Sequence, residues 1–487
     1  MSTADRAACA ARRWWILAIV GIAQLMVVLD ATIVNIALPS AQEALHFSDD
    51  ARQWIVTAYA LAFGSLLLLG GRIGDLFGRK PTFIVGLIGF AVASAIGGAA
   101  ESFGVLVAAR ALQGAFGALL APAALSLLTT TFTDPAERGR AFGIFGAIAG
   151  GGGALGLLLG GLLTEYLSWR WTLYVNLVFA IPAALGALVF LQRQVRAAAP
   201  RIDVPGALTA FGGLFALVYG FSQAETHGWG SATTVAFLVA AVVLLAAFAM
   251  IERRAAHPLL PLRVVLDRNR GGSYLAVGIV GIGMFGVFLF LTYYLQQTLG
   301  FSPVETGLAF LPMIGAVMVT ATTSTSVLLP RVGPRPLATL GMAFSAAGMV
   351  LLAQLGVDST YAAHVLPGLI VIGVGLGFVM APAMNTATLG VDAADAGVAS
   401  ATVNTMQQIG GSIGTALLST LAASATSGYL AGRQPSADVV AQAAVHGYTT
   451  AFWWAAAIFA AGAVVSALLL RGGAPKLEPS AEPVLVH

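Results

Sequence analysis

The amino-acid sequence predicts an all-α membrane protein, and three observations lead to this fold class. Of the 487 residues, 58% are hydrophobic and only 9% are charged, whereas soluble domains carry about 25% charged residues. Apolar runs of about 20 residues, the length that crosses the hydrocarbon core as a helix, recur along the whole chain. Lys and Arg residues gather in alternate loops between these runs. A water-soluble globular core is therefore excluded.

The apolar runs predict about fourteen transmembrane helices. The two weakest runs lie at 206–222 and at 398–423, where polar residues such as Asn404 interrupt the pattern. Counts of twelve or thirteen therefore stay open. We expect six helices in each of two halves and two extra helices between the halves.

The basic residues predict the orientation. Of the 24 Lys and Arg residues, only Arg52, Arg170 and Arg433 fall in outer loops and Arg110 falls within a helix, if both termini are cytoplasmic. This bias follows the positive-inside rule. We expect a multi-pass protein of the plasma membrane. The Ala-, Gly- and Arg-rich composition is typical of a bacterial source.

An internal repeat divides the chain. GALLAPAALS (Gly117–Ser126) resembles GFVMAPAMNT (Gly377–Thr386). Two parallel halves around a central cavity are a transporter architecture. The predicted organisation is a cytoplasmic tail (1–13), a six-helix bundle (14–192), basic loops with two extra helices (193–270), a second six-helix bundle (271–470) and a cytoplasmic tail (471–487).

Asp30 is the most informative residue, because it is the only charge in the apolar run Trp14–Leu38. A charge within the bilayer costs about 2.5–3.5 kcal/mol on insertion scales and marks ion or substrate paths. Arg110 is a second such charge, and both lie about 10–12 Å below the outer ends of their helices. We expect the two to meet, with Asp30 as the proton carrier and a cationic substrate competing for its carboxylate. The alternative is a structural ion pair.

Polar and aromatic side chains in the apolar runs are candidates for lining a substrate cavity. Such residues also form ordinary hydrogen bonds between helices, which is the alternative interpretation of each one. The candidates are Asn35, Tyr59, Gln113, Tyr293, Gln297, Asn385, Asn404 and Gln408.

The sequence does not favour an enzyme. It has one cysteine, Cys9, and no metal-binding spacing among its histidines, so neither a metal nor a cofactor is expected. It lacks a nucleotide-binding Gly-x-x-x-x-Gly-Lys motif, so an ion gradient is the expected energy source. The dispersed basic residues do not predict nucleic-acid binding. We expect a monomer whose partners are a small-molecule substrate, protons and the lipid bilayer.

The loop GRIGDLFGRK (Gly71–Lys80) has a specific spacing of glycines and charges. It resembles the signature loop of the major facilitator superfamily, which lies between the second and third helices. The resemblance implies the major facilitator fold and a gating role for this loop. The residues that carry the match are Gly71, Asp75, Gly78, Arg79 and Lys80.

Further motifs resemble the fourteen-helix drug:proton antiporters, the QacA/EmrB-like branch. They are LDATIVNIALP (Leu29–Pro39), RALQGAFGA (Arg110–Ala118) and the glycine-rich fifth helix (Gly146–Leu163), with Gly152, Gly156, Gly160 and Gly161 as its antiporter-motif glycines. The resemblance implies proton-coupled export of small amphipathic or cationic compounds such as drugs and antibiotics.

One position departs from the family pattern, because Leu157 stands where the antiporter motif has proline. This departure leaves alternatives on the same fold, namely export of a specific metabolite or lipid, or proton symport for uptake. A membrane sensor or scaffold is a more distant alternative, since it would need an output domain.

Overall fold

The computed structural model describes residues 3–48, 51–132, 135–191, 203–255, 258–388, 391, 396–434 and 436–473. The long helices of the first half are α1 (Thr3–Leu45), α2 (Gln53–Phe77), α3 (Arg79–Gly98), α4 (Phe103–Thr131), α5 (Pro135–Tyr166) and α6 (Trp171–Phe190). Two central helices follow, α7 (Val204–His227) and α8 (Ala232–Arg254). A short helix, Leu262–Val265, leads into the second half.

The second half contains α9 (Arg268–Tyr293), α10 (Pro303–Thr323), α11 (Pro334–Leu352), α12 (Leu366–Thr388), α13 (Ala396–Leu430) and α14 (Ala437–Leu469). Wider π-helical turns extend three of them, Tyr294–Thr298 after α9, Ser324–Leu328 after α10 and Tyr361–Val365 before α12. Parts of the predicted segments, including 192–202 and the tail 474–487, lie outside the described residues.

The helices confirm an all-helical membrane fold. Among the described residues, twelve helices are long and apolar enough to cross a membrane. The helices α2 and α5 contain shorter apolar stretches, Trp54–Leu67 and Leu155–Tyr166. The total of fourteen spans therefore stays a prediction.

Local signals explain several helix ends. Gly78 has φ 97°, a left-handed conformation that suits glycine, and it separates α2 from α3. Gly333, with φ 78°, occupies the corresponding place before α11. Ser302 and Glu305 form a reciprocal capping box at the start of α10, which satisfies backbone N–H groups that the helix itself leaves free.

The two halves repeat one pattern of helix packing. In the first half α1 packs against α5 and α6, α2 packs against α4, and α3 packs against α4 and α6. In the second half α9 packs against α13 and α14, α10 packs against α12, and α11 packs against α12 and α14. Each helix therefore has a counterpart eight positions later, and the sequence repeat corresponds to a structural repeat.

Equivalent arginines cap equivalent helices in the two halves. Arg12 of α1 donates from Nε to the carbonyl oxygen of Phe190 at the end of α6, at 3.0 Å. Arg268 of α9 donates to the carbonyl oxygens of Leu469 and Leu468 at the end of α14, at 2.7 and 2.6 Å. A cation at a helix C-terminus offsets the negative end of the helix dipole.

The halves meet along two seams, α2 with α13 and α5 with α10. At the first seam Gly64 lies against Gln408, where an added methyl group would be 3.1 Å from the Gln408 Cβ atom. At the second seam a methyl group on Gly161 would lie 2.6 Å from the Pro303 carbonyl oxygen. Glycines thus allow close approach of the backbones at both seams.

The helices α7 and α8 form a hairpin against the first seam. The helix α7 contacts both α2 and α13, so the hairpin touches both halves. The Tyr219 ring of α7 lies between Trp54 of α2 and Phe237 of α8, at centroid distances of 5.9 and 4.5 Å. At the other end of α8, the buried Glu252 carboxylate accepts backbone N–H groups of Leu259 and Leu260 at 3.1 and 3.0 Å.

Candidate functional site

Asp30 and Arg110 form a buried ion pair inside the first half. The Arg110 Nη1 atom lies 2.6 Å from Asp30 Oδ2, and the side chains are 1% and 0% exposed. The two charges meet as their matching depths predict. Removal of one partner from such a pair leaves an uncompensated buried charge, which costs about 3–5 kcal/mol.

Two amides complete the set of donors around Asp30. Gln113 Nε2 donates to Oδ1 at 3.0 Å, and Asn176 Nδ2 donates to the same oxygen at 2.7 Å. Both amides also donate to the hydroxyl oxygen of Ser94, at 2.7 and 3.2 Å. The carboxylate thus accepts hydrogen bonds from α4 and α6, and Ser94 of α3 connects the two amides. Together with Arg110, three side chains therefore donate hydrogen bonds to the two Asp30 oxygens.

Sequence reasoning missed Asn176 and Ser94 as members of this site. Both are isolated polar residues in apolar helices, and both are fully buried. A single polar residue has no periodicity that would indicate its partner. The chemistry of these side chains could have indicated their place in the site, because a buried amide needs a hydrogen-bond partner and the buried Asp30 needs donors.

An apolar layer closes the pair toward the end of the bundle where α1 ends and α2 begins. The cavity beside Arg110 measures only about 10 Å³, room for at most one water molecule. A cavity of this size cannot hold a chain of water molecules beside Arg110. The main apolar lining residues are Val34, Ala37, Leu38, Ile55, Leu106 and Trp169.

Asp30 does not face the space between the halves. Its hydrogen-bond partners belong to α4 and α6 of its own half. The adjacent Ala31 is exposed, whereas Asp30 itself is fully buried. The sequence led us to expect that a substrate competes directly for the Asp30 carboxylate. In this conformation a substrate cannot contact that carboxylate.

The antiporter-motif glycines of α5 pack α1 beside the ion pair. Methyl groups added to Gly156 and Gly160 would lie 3.0 Å from the carbonyl oxygens of Leu29 and Ile33, and Gly152 meets the side chain of Val28. Gly161 instead packs against Pro303 of the other half. The fifth helix therefore connects α1, the helix of Asp30, with the second seam.

Leu157 replaces the motif proline without interrupting α5. The helix runs continuously from Pro135 to Tyr166. The Leu157 side chain is fully buried, and its carbonyl oxygen would lie 2.6 Å from a methyl group on Gly307 of α10. Close packing between the halves is thus maintained at the substituted position.

The predicted gating loop joins α2 to α3. Lys80 Nζ donates to the carbonyl oxygens of Leu188 and Leu191 at the end of α6, the first at 2.9 Å. Arg79 begins α3, and Gly71 lies on α2 opposite Pro122 of α4. The side chain of Asp75 lies outside the described part of the chain.

The cavity candidates fall into separate groups. Gln113 and Tyr59 belong to the ion-pair cluster, since the Arg110 guanidinium carbon lies 4.4 Å from the centroid of the Tyr59 ring. Asn35 is buried on α1 and donates to the Ala31 carbonyl oxygen at 3.2 Å. Gln408 lies at the first seam, and Asn404, half-buried, lies one helical turn earlier on α13. Asn385 is exposed near the end of α12.

Tyr293 and Gln297 lie near the end of the bundle. The Tyr293 hydroxyl donates to Gln42 Oε1 at 2.7 Å, and Gln42 is about 18 Å along α1 from Asp30. The Arg52 guanidinium lies 4.1 Å from the Tyr293 ring centroid. Gln297 accepts a hydrogen bond from the Tyr448 hydroxyl at 3.3 Å. These contacts join α9 to α1 and α14.

Comparison with known proteins supports the architecture. The sequence matches the Major Facilitator Superfamily over residues 20–415. This chain belongs to the Major Facilitator Superfamily. It is a membrane transporter and not an enzyme, and transporters of this superfamily carry small molecules.

Similar superfamily members include antibiotic resistance and export proteins of bacteria. The puromycin resistance protein pur8 of Streptomyces alboniger is 52% identical over 94% of this chain and 92% of its own length. The cephamycin export protein CmcT of Amycolatopsis lactamdurans is 39% identical over 96% of this chain and 93% of its own length. The tetracenomycin C resistance and export protein of Streptomyces glaucescens is 37% identical over 85% of this chain and 76% of its own length.

A solved superfamily structure shares the fold. The crystal structure of an auto-inhibited POT family peptide transporter matches with a TM-score of 0.70 over 97% of this chain and 99% of that one. The identity is 18%, so this likeness concerns the fold alone.

Proposed function

We propose that this transporter exports antibiotics and related small amphipathic compounds in exchange for protons, by alternating access between its halves. The observation that carries the proton part is the buried Asp30–Arg110 pair. The export part rests on the relatives, which are named for resistance to or export of puromycin, cephamycin and tetracenomycin. Puromycin is the first compound to test.

Asp30 is the proposed proton carrier. In its ionised form it accepts three side-chain hydrogen bonds, from Arg110, Gln113 and Asn176. A neutral carboxyl group needs an acceptor for its own proton, and Asn176 Oδ1 is buried with no donor among the described residues. Rotation of the Asn176 amide would present this oxygen to a protonated Asp30. The site thus offers hydrogen-bond donors to the ionised carboxylate and an acceptor to the protonated carboxyl group.

Coupling between proton and substrate is indirect in this proposal. Asp30 lies inside one half, whereas the substrate would bind between the halves near Asn35, Asn404 and Gln408. Protonation removes the counter-charge of Arg110 and changes the packing of α1 against α4. Because α1 also packs against the antiporter-motif glycines of α5, this change reaches the seam with α10. The two seams then rearrange together.

The membrane arrangement is also part of the proposal. The helices α2 and α5 join the twelve apolar helices as spans, giving fourteen in two six-helix halves and a central pair. Both termini lie in the cytoplasm of a bacterial cell, and the protein works as a monomer in the plasma membrane. The closed end, where Tyr293 meets Gln42, then faces outward.

The deciding experiment uses inside-out vesicles with an imposed proton gradient, followed by a pH-sensitive dye as puromycin is added. We expect puromycin to dissipate the gradient with the wild type but not with Asp30→Asn. Asp438→Asn is the matched control, because it makes the same chemical change at an exposed residue of α14.

Three other outcomes would redirect the proposal. Equal responses of wild type and Asp30→Asn would assign Asp30 a structural role. Puromycin movement together with protons, instead of against them, would establish symport. If neither puromycin nor cephamycin dissipates the gradient, export of a specific metabolite or lipid is favoured. Leu157 in place of the motif proline leaves this alternative open.

A further inference from the structure

Arg110 is held by α2 as well as by Asp30. Its Nε atom donates to the carbonyl oxygen of Ile55 at 3.2 Å, and its guanidinium lies over the Tyr59 ring. Tyr59 is 3% exposed and stacks on Phe63, with ring centroids 5.7 Å apart and planes inclined by 18°. The arginine therefore bridges the proton site and one turn of α2.

This turn of α2 leads directly to the seam with the other half. Gly64 follows Phe63 in the chain and packs against Gln408 of α13. On its opposite side the same segment is tight against α4, where Gly114 meets the Tyr59 backbone and a methyl group on Gly117 would lie 2.9 Å from the Phe63 ring. Because this segment is closely packed, a displacement of Tyr59 shifts the segment as a whole and moves the Gly64–Gln408 contact.

The partners of Arg110 change when Asp30 is neutral. Asp30 is its only counter-charge among the described residues. The partners that remain are Gln113 Oε1 of α4 at 2.8 Å, the Ile55 carbonyl oxygen and the Tyr59 ring. Two of these three belong to α2, so loss of the Asp30 charge draws the guanidinium toward α2. A cation over an aromatic face is strongly attracted where water is excluded.

We propose that Tyr59 is a positioning residue that passes the charge state of Asp30 through Arg110 to the α2–α13 seam. This inference rests on the proposed proton-coupled export. It assigns the Tyr59 ring, and not its hydroxyl group, to the coupling. Tyr59 had been a candidate for contact with the substrate, whereas here its ring acts on Arg110.

The test compares two activities of purified protein in liposomes, with puromycin as the probe. One is accumulation driven by a proton gradient, and the other is downhill transport without a gradient. We expect Tyr59→Leu to lower the ratio of driven to downhill transport roughly tenfold, whereas Tyr59→Phe retains the ratio because it keeps the ring. Tyr294→Leu is the matched control, since Tyr294 is also fully buried but lies in the second half.

The outcomes separate this inference from the proposed function. If Asp30→Asn retains driven accumulation, the proton-coupling proposal itself fails. If Asp30→Asn abolishes accumulation but Tyr59→Leu behaves as wild type, the role of Tyr59 is overturned. Equal losses in Tyr59→Phe and Tyr59→Leu would overturn the role of the ring. Tyr59→Met serves as the second variant if Tyr59→Leu is not recovered folded, and the same criteria apply.

Discussion

Gly156 of α5 packs directly against the backbone of Leu29, the residue before Asp30. A methyl group on Gly156 would lie 3.0 Å from the Leu29 carbonyl oxygen and still closer to the Thr32 hydroxyl. The glycine-rich helix of the second seam and the helix that carries Asp30 thus share one close backbone contact. Small residues permit such an approach between membrane helices.

Gly156→Ala is expected to destabilise the protein by about 1–3 kcal/mol, because the added methyl group overpacks the α1–α5 contact. Thermal unfolding in detergent measures this loss. Gly153→Ala is the control, since an added methyl group there meets nothing within 4 Å. Equal melting temperatures for the two variants would contradict the close packing.

A double-mutant cycle tests the energetics of the ion pair. Asp30→Asn leaves the Arg110 charge buried without a counter-charge and should cost about 3–5 kcal/mol of stability. We expect the double variant Asp30→Asn, Arg110→Gln to recover most of this loss, because no buried charge remains. Denaturant unfolding in mild detergent measures each corner of the cycle. Additive losses would mean that the two residues do not stabilise each other.

Tyr293→Phe should weaken closure of the bundle end, because it removes the hydrogen bond to Gln42 that joins the halves. One hydrogen bond contributes about 1 kcal/mol, so opening should rise roughly fivefold. The measurement is the labelling rate of an Ala41→Cys reporter in a Cys9→Ser background with an impermeant maleimide. Tyr294→Phe is the control, since its hydroxyl bonds to Gly356 within the second half. Similar labelling of both variants would count against this contact as a latch.

Glu252→Ala should loosen the segment between α8 and α9. The variant leaves the buried N–H group of Leu259 and the partly buried N–H group of Leu260 without the carboxylate, at a cost of about 1–3 kcal/mol. Limited trypsin digestion should then cut faster after Arg254 and Arg263, by roughly tenfold. Glu43→Ala, at an exposed position of α1, is the control. Unchanged cleavage would show that other contacts hold this segment.

The sequence predicted features that depend on local chemistry. Apolar runs predicted the helical membrane fold, and the spacing around Gly78 placed the α2–α3 loop. Asp30 and Arg110 could be paired because each is a lone charge at a similar depth. Local patterns do not reveal tertiary partners, however. The orientation of Asp30 toward Asn176 and Ser94, inside one half, required the packing of four helices.

The α7–α8 hairpin makes the two seams unequal toward the bilayer. The two helices of the second seam, α5 and α10, carry large exposed apolar side chains, among them Leu155, Leu162 and Leu308. At the first seam α7 covers α2 and α13, and among the described residues Phe77 alone is a large exposed apolar side chain on those two helices. A hydrophobic compound dissolved in the lipid therefore reaches the boundary between the halves only at the second seam. Acyl-chain composition should accordingly influence transport of membrane-partitioning substrates through α5 and α10.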